Sequence, residues 1–150
     1  MRWIDSPADI LWHDGLLLGH TPMDEEHETF VHLMGALMHA RDETLASALD
    51  ALAAHAQQHF ETENTWMAET GFPARACHTD EHAAVLRSVQ GVQQRLAQGD
   101  FAVARRLCAE LQAWFPAHAQ HLDSALAHWL CKLRLGGKPV VLHRSLLTHS

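Results

Sequence analysis

Apolar residues recur every three or four positions along most of the chain, and short polar or glycine-containing segments interrupt that rhythm. From His27 onward Phe30, Leu33, Met34, Leu37 and Met38 keep helical spacing. The preceding Thr21-Pro22-Met23-Asp24 reads as a helix start, with Thr21 as N-cap, Pro22 at the first helical position and acids at the positive end of the dipole. A first helix is therefore predicted from Thr21 to near Arg41. After Asp42-Glu43-Thr44 a second series, Leu45, Leu49, Leu52, Ala56, His59, Phe60, Glu63, Trp66 and Met67, runs without a break to Gly71, and Pro73 bars continuation. A third follows with His78, His82, Val85, Val89, Val92 and Leu96 and stops at Gly99. Asp100 can cap the fourth, whose stripe is Ala104, Leu107, Leu111, Trp114, Phe115, His118, Leu122, Leu126, Trp129, Leu130 and Leu133, closed by Gly136-Gly137.

Four amphipathic helices with short connections predict an all-α, up-down-up-down antiparallel four-helix bundle over residues 21 to 135. An irregular N-terminal arm, residues 1 to 20, packs its tryptophans on the bundle, and a short C-terminal tail covers 136 to 150. Seven polar residues occupy inward positions of this pattern: His27, His59, Glu63, His78, His82, His118 and Asp123. In an antiparallel pair, residues at one height are equidistant from the turn. The midpoint of His59/Glu63 and His78/His82 is at Gly71, that of His78/His82 and His118/Asp123 at Gly99-Asp100, and that of His27 and His59/Glu63 at Thr44. All three are predicted connections, so the seven residues should form one layer across the bundle.

Composition agrees with this class and narrows the function. The 150 residues are 47% hydrophobic with five Pro and no Tyr, enough for one helical domain with its own core. A net charge of -7 with dispersed Lys and Arg argues against nucleic acid. No apolar run approaches the roughly 20 residues of a membrane span. Three scattered cysteines, Cys77, Cys108 and Cys131, suggest neither disulfides nor a zinc knuckle. A cytoplasmic, monomeric protein is expected. Position, and not the count of fourteen, singles out the histidines of the layer. His13, His20, His32, His39, His55, His128, His143 and His149 are read as surface or satisfied residues.

Five imidazoles and two carboxylates in a core with no Lys or Arg on the stripes require a cation, because unpaired buried carboxylates cost several kcal/mol. The donors are too many for one structural zinc and suit two octahedral ions with both carboxylates bridging. Nitrogen-rich ligation points to iron, with manganese or zinc as other occupants. The separation of His118 and Asp123 is irregular: five residues lie about 140° off one helical face, and Pro116 removes a backbone bond just upstream. A kink or π-type widening is predicted there. In a regular helix His121, three residues from His118, would take the place of Asp123.

The set Trp12…Gly19…Asp24-Glu25-Glu26-His27, His59-Phe60-x-x-Glu63, Met67…Gly71-Phe72-Pro73…His78-x-x-x-His82 and Trp114-Phe115-x-x-His118-x-x-x-x-Asp123 resembles the bacterial hemerythrin pattern over about residues 12 to 130. The resemblance implies an oxo- or hydroxo-bridged pair of iron ions (Fe2+/Fe3+), one on His78, His82 and His118, the other on His27 and His59, with Glu63 and Asp123 bridging. O2 would bind the iron on His27 and His59, within a pocket of Phe30, Phe60, Met67, Trp114, Phe115 and Ala119. Ala119 stands where the family commonly has a bulkier aliphatic residue, and Phe115 replaces a frequent Leu, so a gap beside the iron is expected. The implied function is reversible O2 binding in carriage, storage or sensing, by a binding protein and not an enzyme. A di-iron redox enzyme, such as a peroxidase or nitric-oxide scavenger, and a metal-storage bundle are the alternatives. The apolar, aromatic second layer favours O2 binding, since a dry pocket disfavours proton entry, and the Glu-x-x-His motif of ferritin-like oxidases does not occur.

Overall fold

The computed structural model describes residues 12 to 134. Within them a single 3-10 turn, Asp14–Leu16, precedes α1 (Thr21–Met38), α2 (Asp42–Thr70), α3 (Arg75–Ala97) and α4 (Phe101–His118). A π-helical turn, Ala119–Asp123, joins α4 to α5 (Ser124–Arg134) as one rod. The all-α four-helix architecture is as the periodicity predicts. Helix α2 packs on α1 and α3, α4 packs on α1 and α3, and the ring closes around one core. Trp3, Ile4 and the tail beyond Arg134 lie outside the described residues. Within the arm, Trp12 and Leu16 pack against the core.

The helix ends follow local chemistry, with two departures from expectation. Helix α1 is capped by His20 and not by Thr21: the His20 Nδ1 accepts from the Met23 amide at 3.3 Å. Pro22 therefore falls in the first turn, where a missing N–H costs nothing. The Asp24 carboxylate reaches back to accept from the Leu18 and Gly19 amides at 2.8 and 3.1 Å, which ties the arm to the helix. The helix also ends at Met38 and not near Arg41, because the Arg105 guanidinium takes the Ala40 carbonyl and the Asp42 carboxylate and pins an early corner. Gly71 closes α2 in the left-handed region at φ 66°, and the Phe72 amide donates to Met67 O at 3.0 Å. Asp100 caps α4 as expected, accepting from the Val103 amide at 3.1 Å and from Arg95 at 2.7 Å.

The core is divided in two. The larger part is built from the stripes of α1 to α4, including Phe30, Met34, Leu45, Leu49, Leu52, Phe60 and Phe115. The smaller part contains Met23, Met67, Phe72, Leu126 and Ala127, with Trp66 and Trp129 packed on it. On α1 and α2 the polar layer lies between them in sequence. Leu133, expected on the fourth stripe, is exposed.

Two glycines make opposite stability predictions. Gly71→Ala forces an alanine into left-handed backbone and should destabilise the bundle by about 1 kcal/mol. Gly35, inside α1, would place a Cβ with no protein atom within 4 Å, so Gly35→Ala should stabilise by about 0.5–1 kcal/mol. Urea unfolding followed by circular dichroism measures both shifts.

Candidate metal centre

Each helix delivers its share of the layer by simple spacing. His59 and Glu63 are four residues apart on α2, and His78 and His82 four apart on α3, so each pair shares a face. His27 comes from the second turn of α1. The irregular pair is reconciled by the π turn: the Ser124 amide donates to Ala119 O, five residues back, and the extra residue brings Asp123 round to the face of His118. Asp123 is fully buried. His121 is exposed and does not take its place.

All seven residues are buried, none more than 3% exposed. They fall into two groups whose ligand atoms converge: Glu63, His78, His82, His118 and Asp123, and His27, His59 and Glu63. The carboxylates divide their oxygens between the groups. Glu63 Oε1 lies 3.2 Å from His82 Nε2 and 3.5 Å from His78 Nε2, while its Oε2 lies 3.2 Å from His59 Nε2 and 3.7 Å from His27 Nε2. Asp123 Oδ1 lies 2.8 Å from His78 Nε2 and 3.1 Å from His118 Nε2, while its Oδ2 lies 2.9 Å from His27 Nε2.

Most of these approaches are not hydrogen bonds. The Nε2 atoms of His27, His82 and His118, both Glu63 oxygens and Asp123 Oδ2 are buried without a hydrogen-bond partner. Atoms that approach within about 3 Å without aligning on one another are placed as neighbouring donors around a common ion, whose bonds to nitrogen are about 2.0–2.1 Å. The donor set fits a pair of cations: imidazole and carboxylate, with every ion-pair partner of Glu63 and Asp123 among the described residues a histidine.

The groups perturb one another strongly. Burial pushes the His27 and His78 imidazoles down, but the Asp123 and Glu63 carboxylates against them outweigh it and raise each to about 9. At His59 burial dominates and the imidazole falls to about 4. Burial also lowers His82. Burial opposes the charge on Glu63 and Asp123, yet the surrounding imidazoles hold both well below the usual carboxylate range.

Three outer partners do not stand out in the sequence pattern. Glu81 Oε1 accepts from His118 Nδ1 at 2.6 Å and from the Trp114 indole at 3.0 Å. Asn64 Oδ1 sits 2.9 Å from His82 Nδ1, and Glu26 Oε1 sits 3.5 Å from His59 Nδ1. An oxygen that accepts at Nδ1, as those of Glu81 and Asn64 do, leaves the Nε2 lone pair facing the centre and fixes the ring's orientation, whereas Glu26 does not hydrogen-bond His59 Nδ1. Each of the three adjoins a layer residue in sequence: Glu26 before His27, Asn64 after Glu63, Glu81 before His82. That adjacency is the one signal that could have found them.

Aromatic rings cover the centre on one side. Phe60 stacks on His82 at 4.1 Å, Trp114 on His118 at 4.3 Å, and Phe115 sets its edge to His27 at 5.2 Å between ring centroids. Phe30, Phe60, Phe115 and Ala119 belong to the larger core, with Trp114 packed against it. Met67 belongs to the smaller one. His55, read as a satisfied residue, bonds Glu26 O at 3.1 Å and stacks on His59 at 5.7 Å. His20, likewise read as having no site role, caps α1.

Comparison with known proteins gives the same picture. Residues 19–130 match the family described as hemerythrin HHE cation binding domain. A protein named bacteriohemerythrin from Ralstonia nicotianae is 40% identical over 123 residues, 82% of this chain and 90% of that protein. Bacteriohemerythrins from Stenotrophomonas maltophilia and Pseudomonas paraeruginosa are each 25% identical, over 80% and 78% of this chain and the same shares of their own lengths. No solved structure shows a significant match. No described helix is long and apolar enough to cross a membrane. With its buried cluster of five histidines and two carboxylates on a four-helix frame, the chain belongs to the hemerythrin family.

Proposed function

We propose that this protein binds O2 reversibly at a non-haem di-iron centre, in oxygen carriage, storage or sensing. The observation that carries the reading is the division of the carboxylate oxygens: Glu63 and Asp123 each offer one oxygen to either histidine group, as bridges between two ions would. His78, His82 and His118 would hold one iron, and His27 and His59 the other. Two iron ions with an oxo or hydroxo bridge supply, together, the two electrons that O2 binding draws on.

The chain's own residues favour binding over turnover. Three imidazoles and two carboxylate oxygens surround the first position, two imidazoles and two carboxylate oxygens the second, so the His27/His59 side has the room for an external ligand. Phe115 and Phe30 close over that side and exclude water. Besides Glu63, the acid beside His59 is Glu26, which lies 3.5 Å from the ring's outer nitrogen, and His55 beyond it is turned to the Glu26 carbonyl. With proton delivery suppressed, bound O2 is released intact more readily than it is reduced.

Three outcomes are expected. Anaerobic loading should give two iron ions per chain and a near-colourless protein; exposure to O2 should produce a visible absorption band that disappears on evacuation, whereas irreversible bleaching would indicate an oxidase or peroxidase and retained zinc without colour a storage bundle. His59→Ala should lower iron content and abolish the band, while His55→Ala, a ring outside the layer, should leave the content at two, as read by elemental analysis. Loading should also release protons: His27 and His78, raised to about 9, hold theirs at neutral pH, so affinity should climb as pH rises from about 6.5 towards 9. Calorimetric titration with ferrous ion in buffers of different ionisation enthalpy counts those protons, and a pH-independent affinity would contradict the assignment.

A further inference from the structure

On the outer face of the bundle α3 and α4 part to leave a cleft of about 310 Å3, and none of its lining residues belongs to the metal layer. The cleft runs along both helices. Arg95 and Val103, Gly91 and Leu107, and Ser88 and Glu110 are equidistant from the turn at Gly99, so they face each other in successive rungs over about two turns.

Its charge runs against that of the chain. The sequence has a net charge of -7 and eleven Lys and Arg, yet three of these, Arg87, Arg95 and Arg106, line this one cleft. Arg95 pairs with Asp100 at 2.7 Å. Arg87 and Arg106 have no ion pair among the described residues, although Glu110 follows Arg106 by one turn. The neighbouring Arg105 turns the other way, to Asp42. Guanidinium groups gathered at one place repel one another unless an anion joins them, and their planar fork matches phosphate.

One lining residue is unusual as well. Gly91 lies in the interior of α3, where glycine destabilises a helix relative to alanine. A Cβ there would meet no protein atom within 4 Å, so no packing inside the chain requires the glycine. It leaves bare backbone on the exposed face of α3, beside the half-buried Val92 and the buried Leu107.

We propose that this cleft binds a phosphate-bearing small molecule of mononucleotide size. The arginines hold the phosphate, the planar ring lies against Val92 and the bare backbone of Gly91, and Ser88 and Glu110 meet its hydroxyl or amino groups. The volume is at the lower end of the roughly 300–1,000 Å3 typical of small-molecule sites. A stable protein partner would need on the order of 800 Å2 of this surface, more than a two-turn cleft presents. An occupant would clamp together the helices that carry His82 and His118.

The test uses the full chain, titrated with adenosine monophosphate, inorganic pyrophosphate and adenosine while backbone amide resonances and binding heat are followed. Adenosine monophosphate should bind saturably and shift the amides around Gly91 and Arg106, pyrophosphate should bind more weakly at the same place, and adenosine should not bind. Removing Arg87 and Arg106 together should weaken binding by about a hundredfold, at about tenfold for each charge-assisted hydrogen bond removed; Arg105→Ala should change nothing. Gly91→Leu should plug the cleft and abolish binding with the melting temperature unchanged or raised. The proposal is overturned by the absence of saturable shifts at millimolar nucleotide, by equal binding of adenosine, or by indifference to the arginine and Gly91 variants. A short polyglutamate peptide that displaces the nucleotide and binds more tightly would also overturn it, in favour of an acidic protein.

Discussion

Two carboxylates with no exposed surface stand in the middle of this bundle, and the groups that face them are five imidazoles. A buried carboxylate without a partner costs several kcal/mol, and half-satisfied networks are costlier than an apolar core. The imidazoles alone do not satisfy the layer, because buried nitrogen and oxygen atoms of His27, Glu63, His82, His118 and Asp123 have no hydrogen-bond partner. A cation in each ligand group resolves this by giving the inward lone pairs an ion to point at. The layer thus makes metal binding part of the fold's own stability.

The helices around the layer exist to hold that convergence. Apolar stripes on either side fix the height of each helix, and caps at His20, Gly71 and Asp100 fix where each begins or ends. The π turn after His118 is the one distortion in the frame, and it brings Asp123 inward. Outside the layer Glu81, Asn64 and Glu26 meet the outer nitrogens of His118, His82 and His59. Glu81 and Asn64 contribute orientation: an imidazole hydrogen-bonded at Nδ1 keeps Nε2 turned towards the layer without rotating away.

Much of this is legible in the sequence, for physical reasons that also explain what is not. Helical period, breakers and the antiparallel midpoint rule depend only on residue spacing, so the four stripes and the height of the layer can be read directly. The His118 to Asp123 gap is legible as a conflict with a regular helix, and the π turn resolves it. The cap of α1 is not legible, because Thr is a common N-cap and His a rare one; only the folded geometry places the His20 ring over the Met23 amide. Met67 follows Glu63 on the same stripe, and one turn further along the helix is enough to put it across the layer in the smaller core. Glu26, Asn64 and Glu81 look like solvated residues at the stripe edges, and which ring each meets depends on how neighbouring helices are rotated. The arginines of the α3/α4 cleft are legible as exposed charges but not as a cluster, since they gather only once two helices pair.

The bridging arrangement of Glu63 and Asp123 is the central claim, and a crystal structure of the iron-loaded protein with anomalous differences at the iron edge tests it most directly. Two separate peaks are predicted, one beside His78, His82 and His118 and one beside His27 and His59, with a Glu63 and an Asp123 oxygen at each. A single peak, or two peaks with either carboxylate confined to one of them, would contradict the account.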